Sequence, residues 1–263
     1  MGKDIRILLV DDHQVVRDGL RNMLAEETDI EVVGQSSGSE DALIQIATHS
    51  PNIILMDIKM PRMDGRAFLR KIMTEAPIPV LICSAHTGQE TSLGVQALEE
   101  GAVDVVTKPR LGVQEFLHES AVTLIDAVRA AASTHPGERR AAFQPSPPRR
   151  NGDAALPGGN KPAPGLVSHK VVAIGASTGG TEALRLVLEA MPVQAPGLVV
   201  VQHMPEGFTT AFARRLNELC RIEVKEAADG DRVVAGRALI APGNRHTLVH
   251  RDGTQYRVEV IDG

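Results

Sequence analysis

Apolar and polar positions fall into two alternating patterns along the first half of the chain. Short unbroken apolar runs occur at 5–10 (IRILLV), 30–35 (IEVVGQ), 53–57 (IILMD), 80–84 (VLICS) and 104–107 (DVVT). Between them lie VVRDGLRNMLAEE, SEDALIQIATH, GRAFLRKIMTE and QETSLGVQALEE, each with apolar residues three and four apart. Continuous runs predict strands buried on both faces, and the 3.6-residue period predicts amphipathic helices. Ser39, followed by acidic residues, marks a helix start. Strands alternating with helices predict an α/β doubly wound domain with a five-stranded parallel sheet over residues 1–125.

The pattern then breaks. Residues 126–168 read as the end of a helix followed by a linker: from Thr134 to Ser168 there are seven prolines and no period of either kind. Arg139, Arg140, Arg149, Arg150 and Lys161 face only Glu138 and Asp153, so the segment reads as a basic, flexible tether. Alternation resumes in 169–263. VVAIG (171–175) leads into a helical pattern through Met191, then LVVVQH (198–203) into FTTAFARRLNEL (208–219). The short runs RIEVKE, RALIAP, TLVHR and YRVEVI, separated by turn residues, suggest antiparallel strands. A second α/β domain is therefore expected, with a parallel sheet and antiparallel C-terminal strands.

Composition narrows the function classes. With 263 residues and 43% apolar content, the chain suits two globular domains. Its formal net charge of −5 and 2% aromatic content give no basis for nucleic acid as a partner. No apolar run is long enough to span a bilayer, so direct membrane insertion is not expected. The N-terminus MGKDIRILLV lacks a signal-peptide pattern, and Arg6 stands where a myristoylation signal wants Ser or Thr. A cytoplasmic location is expected. Cys83 and Cys220 have no metal-ligand spacing and read as reduced structural thiols.

Candidate chemistry gathers at the strand ends, where open α/β sheets bind ligands. Asp11 and Asp12 follow the first run, Asp57 ends the third, Ser84 ends the fourth and Lys108 follows the fifth. Three carboxylates in one crevice repel unless a cation joins them, and oxygen ligands suit Mg2+. A carboxylate beside such an ion can attack a phosphoryl group, with Lys108 and Ser84 holding the phosphoryl oxygens. ILLVDDH, LMDIKMPRMDG, SAH and VTKP resemble the receiver domain of response regulators, over residues 4 to about 125. The resemblance implies Asp57 as phospho-acceptor, Asp11 and Asp12 holding Mg2+ with Asp57 and the Lys59 carbonyl, and Ser84 and Lys108 as switch residues. It also implies a cis bond at Lys108–Pro109. Many receivers carry an aromatic switch residue where this chain has Val105, so coupling through a rotating ring is not expected.

In the second half, Gly175-Ala176-Ser177-Thr178-Gly179 fits G-x-S-x-G, a turn that exposes a nucleophilic serine at a helix start. A structural turn or a phosphate loop are the alternatives. The phosphate loop is disfavoured because Thr181 and Glu182 follow Gly180 where a Lys would be needed. His203 ends the next run and is a candidate base on a neighbouring strand; His246 is a second. No helix-turn-helix with a basic recognition helix follows the linker, so a transcription factor is not expected.

IGASTGGTEAL, VVQHMPEGFTTAFARRLN and ALIAPGNRHTLV, placed after a receiver and linker, resemble chemotaxis protein-glutamate methylesterases, the CheB family. That resemblance implies hydrolysis of glutamate methyl esters on chemoreceptors with release of methanol, and deamidation of receptor glutamines. It implies Ser177 as nucleophile and His203 as general base, with no cofactor for the esterase. It further implies a chemotaxis histidine kinase as phosphodonor for Asp57, and a receiver that covers the active site until phosphorylated. The family's triad aspartate, on a glycine-rich loop, has no counterpart from Gly180 to Gly263. Asp229, Asp231, Asp252 and Asp262 read as ordinary turn residues. A C-terminally truncated catalytic domain with little esterase activity is the resulting expectation, the alternative being a phosphorylatable docking module.

Overall fold

A computed structural model describes residues 4–60, 63–84, 88–108, 114–134 and 170–262. The proposed linker and Pro109 lie outside these residues. The chain divides into two compact units, Met1–Gln144 and Pro145–Gly263, each considered by itself.

In the first unit, β1 (Ile5–Val10), β2 (Ile30–Ser36), β3 (Ile53–Met56), β6 (Val80–Ser84) and β7 (Asp104–Thr107) form one sheet. Its order is β2-β1-β3-β6-β7, and every pairing is parallel. The unbroken apolar runs follow from this: Ile53, Ile54, Leu55 and Met56 are all buried, because helices cover both faces of a parallel sheet. Helices α1 (Gln14–Ala25), α2 (Ser39–His49), α3 (Gly65–Glu75), α4 (Gly88–Glu99) and α5 (Gln114–Ala132) connect and flank the strands. Leu20 and Leu24 of α1 join Leu124 and Val128 of α5 in one core with Ile7, Leu9 and Leu55. Each such side chain stabilises the unit by about 1.5–3 kcal/mol on leaving water.

A small hairpin not foreseen from the sequence, β4 (Lys59–Met60) with β5 (Met63–Asp64), follows β3. Asp64 caps α3 by accepting from the Arg66 and Ala67 amides at 3.1 and 3.0 Å. A Cβ on Gly65 would fall onto the carbonyl of Ile58, so only glycine lets the hairpin return so closely.

In the second unit, β8 (Val171–Ala176), β9 (Gly197–Gln202), β10 (Glu223–Glu226) and β12 (Arg237–Ile240) form a sheet of order β10-β12-β9-β8. All of its pairings are parallel. RIEVKE and RALIAP therefore belong to the parallel sheet rather than to an antiparallel group. Helix α7 (Phe208–Leu219), between β9 and β10, and the turns before β12 make the crossovers that parallel pairing requires. Helix α6 (Gly180–Glu189) joins β8 to β9. The antiparallel part consists of β11 (Arg232–Val233), β13 (Arg245–Asp252) and β14 (Gln255–Asp262), in the order β11-β14-β13. Val199, Leu239, Val233 and Val258 make a core shared by the two sheets. No helix among the described residues is long and apolar enough to cross a membrane.

Candidate active and phosphorylation sites

The register of the first sheet builds an acidic crevice. Val10 lies opposite Met56, so Asp11 and Asp57 are the first residues beyond the paired ends of adjacent strands. The Asp57 amide donates to the Val10 carbonyl at 2.9 Å, and the Asp11 amide to the Ser36 carbonyl at 3.1 Å. Ser84 lies opposite Thr107, and the Lys108 amide donates to the Ser84 carbonyl at 2.9 Å.

The Lys108 ammonium reaches both acids, with Nζ at 2.7 Å from Asp57 Oδ2 and 2.7 Å from Asp11 Oδ2. The other Asp57 oxygen accepts from the Lys59 amide at 2.9 Å. Burial pushes the Asp57 carboxyl above its ordinary value, and the Lys108 hydrogen bond offsets only part of that. Burial alone would lower the Lys108 value, but the two carboxylates beside it, Asp11 and Asp57, outweigh burial and raise it. One cation shared between two buried carboxylates explains both directions. The ammonium is well compensated, whereas Asp57 is not. Beneath the crevice, burial pushes the Cys83 thiol up to about 12, which leaves it inert.

The acids fit a hard cation. Ligand atoms of Asp11, Asp12 and His13 lie within 4.8 Å of one another. Asp11 Oδ2 and Asp12 Oδ1 are buried and accept no well-directed hydrogen bond, despite the nearby Lys108 and His13 nitrogens. Carboxylate oxygens with lone pairs left over, facing one crevice, suit an oxygen-seeking divalent ion. His13, not among the residues expected at the site, places Nδ1 2.8 Å from Asp12 Oδ1.

In the second unit the register brings serine and histidine side by side. Ala176 lies opposite Gln202, so Ser177 and His203 are the next residues on adjacent parallel strands, whose spacing is about 4.8 Å. The His203 amide donates to the Ala176 carbonyl at 3.0 Å. Both residues are exposed. Gly179, with φ of +77°, makes the turn, and α6 starts at Gly180 with its free amides directed back toward the serine end. Glu182 is held by Arg185, whose Nε lies 2.9 Å from Oε2, and Arg185 Nη1 also pairs with Glu189 at 2.7 Å. The α6 acids are thus committed to a pair along their own helix.

His246 stands on β13, in the antiparallel sheet, opposite Ile261. Among the described residues no carboxylate pairs with His203. Asp231 bonds Lys225 and the Ala228 amide, Asp229 accepts from the Val260 amide, Asp252 pairs with Arg257, and Asp262 with Arg245. Sequence reasoning passed over Gln202. It is buried, and its Nε2 donates to the Ser177 carbonyl at 3.0 Å and the His203 carbonyl at 3.3 Å. A polar side chain in an otherwise apolar buried strand was the available signal.

Comparison with known proteins accounts for both units. The CheB methylesterase family matches residues 172–262, and the response regulator receiver domain matches residues 7–119. A protein-glutamate methylesterase/protein-glutamine glutaminase of Anaeromyxobacter dehalogenans is 53% identical over 261 residues, covering 99% of this chain and 72% of that protein. One from Geobacter metallireducens is 48% identical over 266 residues, covering 99% of this chain and 74% of that protein. Among solved structures, the Thermotoga maritima CheB methylesterase catalytic domain is 40% identical, covering 37% of this chain and 52% of that one (TM-score 0.35). The response regulator domain of Thermotoga maritima CheB is 32% identical, covering 50% of this chain and 98% of that one (TM-score 0.45). With relatives this similar over nearly its whole length, the chain belongs to the CheB methylesterase family, in the form that carries a response regulator receiver domain ahead of the catalytic domain.

Proposed function

We propose that this protein is a phosphorylation-regulated hydrolase of glutamate methyl esters on chemoreceptors, acting also on receptor glutamines, in chemotaxis adaptation. The names of its relatives support the substrate class. The observation that carries the chemistry is the β8–β9 register, with Ser177 and His203 at adjacent strand ends. Ser177 Oγ attacks the ester carbonyl as His203 takes its proton; His203 then protonates the departing methoxide, and methanol leaves. Water, deprotonated by His203, releases the glutamate and restores the serine. The α6 N-terminus faces the developing oxyanion with positive partial charge.

In the receiver, Asp57 takes a phosphoryl group from a histidine kinase as an acyl phosphate. Asp11, Asp12 and Asp57 would hold Mg2+, which when bound neutralises the acids and the incoming phosphoryl oxygens. Lys108 and Ser84 hold the phosphoryl group, so the ammonium exchanges one set of oxygens for another. Phosphorylation thereby gates the hydrolase.

The test is methanol release from methylated receptor. Ser177→Ala is expected to abolish that release, because the serine is the group that attacks the ester. Turnover that survives Ser177→Ala would overturn the assignment. An effect on receptor signalling that persists in Ser177→Ala would instead favour a docking module.

A further inference from the structure

We infer that Gln202 is the positioning residue of the Ser177–His203 pair, holding both strand ends in register from beneath. The inference rests on the reading of those two residues as nucleophile and base. Gln202 is the last residue of β9 and is only 4% exposed. One nitrogen, Nε2, donates to the carbonyl of Ser177 at 3.0 Å and to that of His203 at 3.3 Å. The amide orientation is fixed by these two acceptors, since a flipped side chain would set an oxygen against two carbonyl oxygens. The Ser177 carbonyl also accepts from the Gly180 amide at 2.6 Å, so one oxygen ties together the serine, the helix start and the glutamine.

The other end of the amide shows what this arrangement costs. Gln202 Oε1 is buried without a hydrogen-bond partner. An orphaned buried acceptor is unfavourable, and an apolar side chain of similar length, such as methionine, would fill the same space without it. Packing therefore does not explain a glutamine here, whereas a two-pronged donor does. Gly180 completes the arrangement: a Cβ there would overlap Gln202 Oε1 and lie 2.6 Å from the Ala176 Cβ. The second glycine of the Gly179-Gly180 pair thus makes room for the glutamine, while the first supplies the turn. Ladder pairing ends with the bond from the His203 amide to the Ala176 carbonyl, and the two glutamine bonds tie the chain just beyond it.

Amide hydrogen exchange on the 263-residue chain tests this, with Gln202→Met as the main variant because it keeps volume and removes the donor. Gln202→Glu is the second, keeping length and replacing the donor by an acceptor. In either variant that folds, exchange at the Gly180 and His203 amides is expected to rise at least about tenfold, a change of about 1.4 kcal/mol in local opening. Amides of β10 and β12 should stay within about threefold. Unchanged exchange at Gly180 and His203, or a uniform rise through the domain, would overturn the inference. Labelling of Ser177 by a fluorophosphonate separates the underlying reading. Wild type that labels and a methionine variant that labels at least about tenfold more slowly support both. Wild type that never labels counts against the nucleophile, while exchange still decides Gln202.

Discussion

At the scale of single residues, Asp57 is held in the receiver at the expense of stability. Its carboxyl value lies above the ordinary 3.8, because burial outweighs a lysine it shares with Asp11. A folded-state value above the unfolded one means that the folded receiver binds this proton more tightly. The contribution of Asp57 to stability is therefore full below about pH 3.8 and is lost as pH rises through the folded value. Asp57→Asn should stabilise the receiver at pH 7, with the gap closing as pH falls toward 3.8. Urea midpoints of both proteins across that range check this, and the variant should no longer be phosphorylated by acetyl phosphate. Lys108 has the same sign of dependence in a far higher window: its value is raised above 10.5, so its contribution is full below that pH and is lost only as pH rises through the folded value.

At the scale of elements, close backbone approach decides how the loops at the second site are held. Gly243 follows β12, and a Cβ there would lie 2.7 Å from both the Glu206 nitrogen and the Met204 oxygen, in the loop just after His203. Its amide donates to Thr209 Oγ1 at 3.2 Å, and that hydroxyl donates to Glu226 Oε1 at 2.5 Å. Gly243→Ala is expected to destabilise the second unit by about 1–3 kcal/mol through overpacking, read from its unfolding midpoint. Thr209 and Glu226 stand on α7 and β10, so a glycine in one loop locks two elements to a third.

Much of this scale was legible in the sequence. The runs at 5–10, 80–84 and 104–107 coincide with β1, β6 and β7, since strands buried on both faces read as near-continuous apolar runs. The strand-end acids, Ser84, Lys108, Ser177 and His203 could be picked out because polar groups interrupt apolar runs there. The pairing of β10 and β12 was not legible. Short strands flanked by turns look alike whether their partner runs parallel or antiparallel, and here α7 and the β11 segment supply the crossovers. The β4–β5 hairpin has only two residues per strand, too few for any period to show. Gln202 interrupts an apolar run as His203 does, but the two carbonyls that define its task come together only in the fold.

At the scale of the whole molecule, two units with separate cores carry two separate chemistries. Each core supports its own cooperative unfolding, so urea should resolve two transitions by hydrogen exchange or by residue-specific probes. Millimolar Mg2+ is expected to raise the transition of the first unit alone, because a ligand stabilises only the unit whose native state binds it. A single transition that shifts as a whole with Mg2+ would show the units to be thermodynamically coupled.

One feature of the second sheet bears on how the protein behaves in concentrated solution. Strand β8, which leads to Ser177, is the outermost strand of its sheet among the described residues, and its Val172 is exposed. A strand in that place presents one row of amide and carbonyl groups to any chain able to lie alongside, with apolar side chains to cover. Neither proline nor lysine interrupts Val171–Ala176 to discourage such an addition. The strand that aims the serine is thus also an edge open to aggregation, with Lys170 at its threshold as a charge that opposes it.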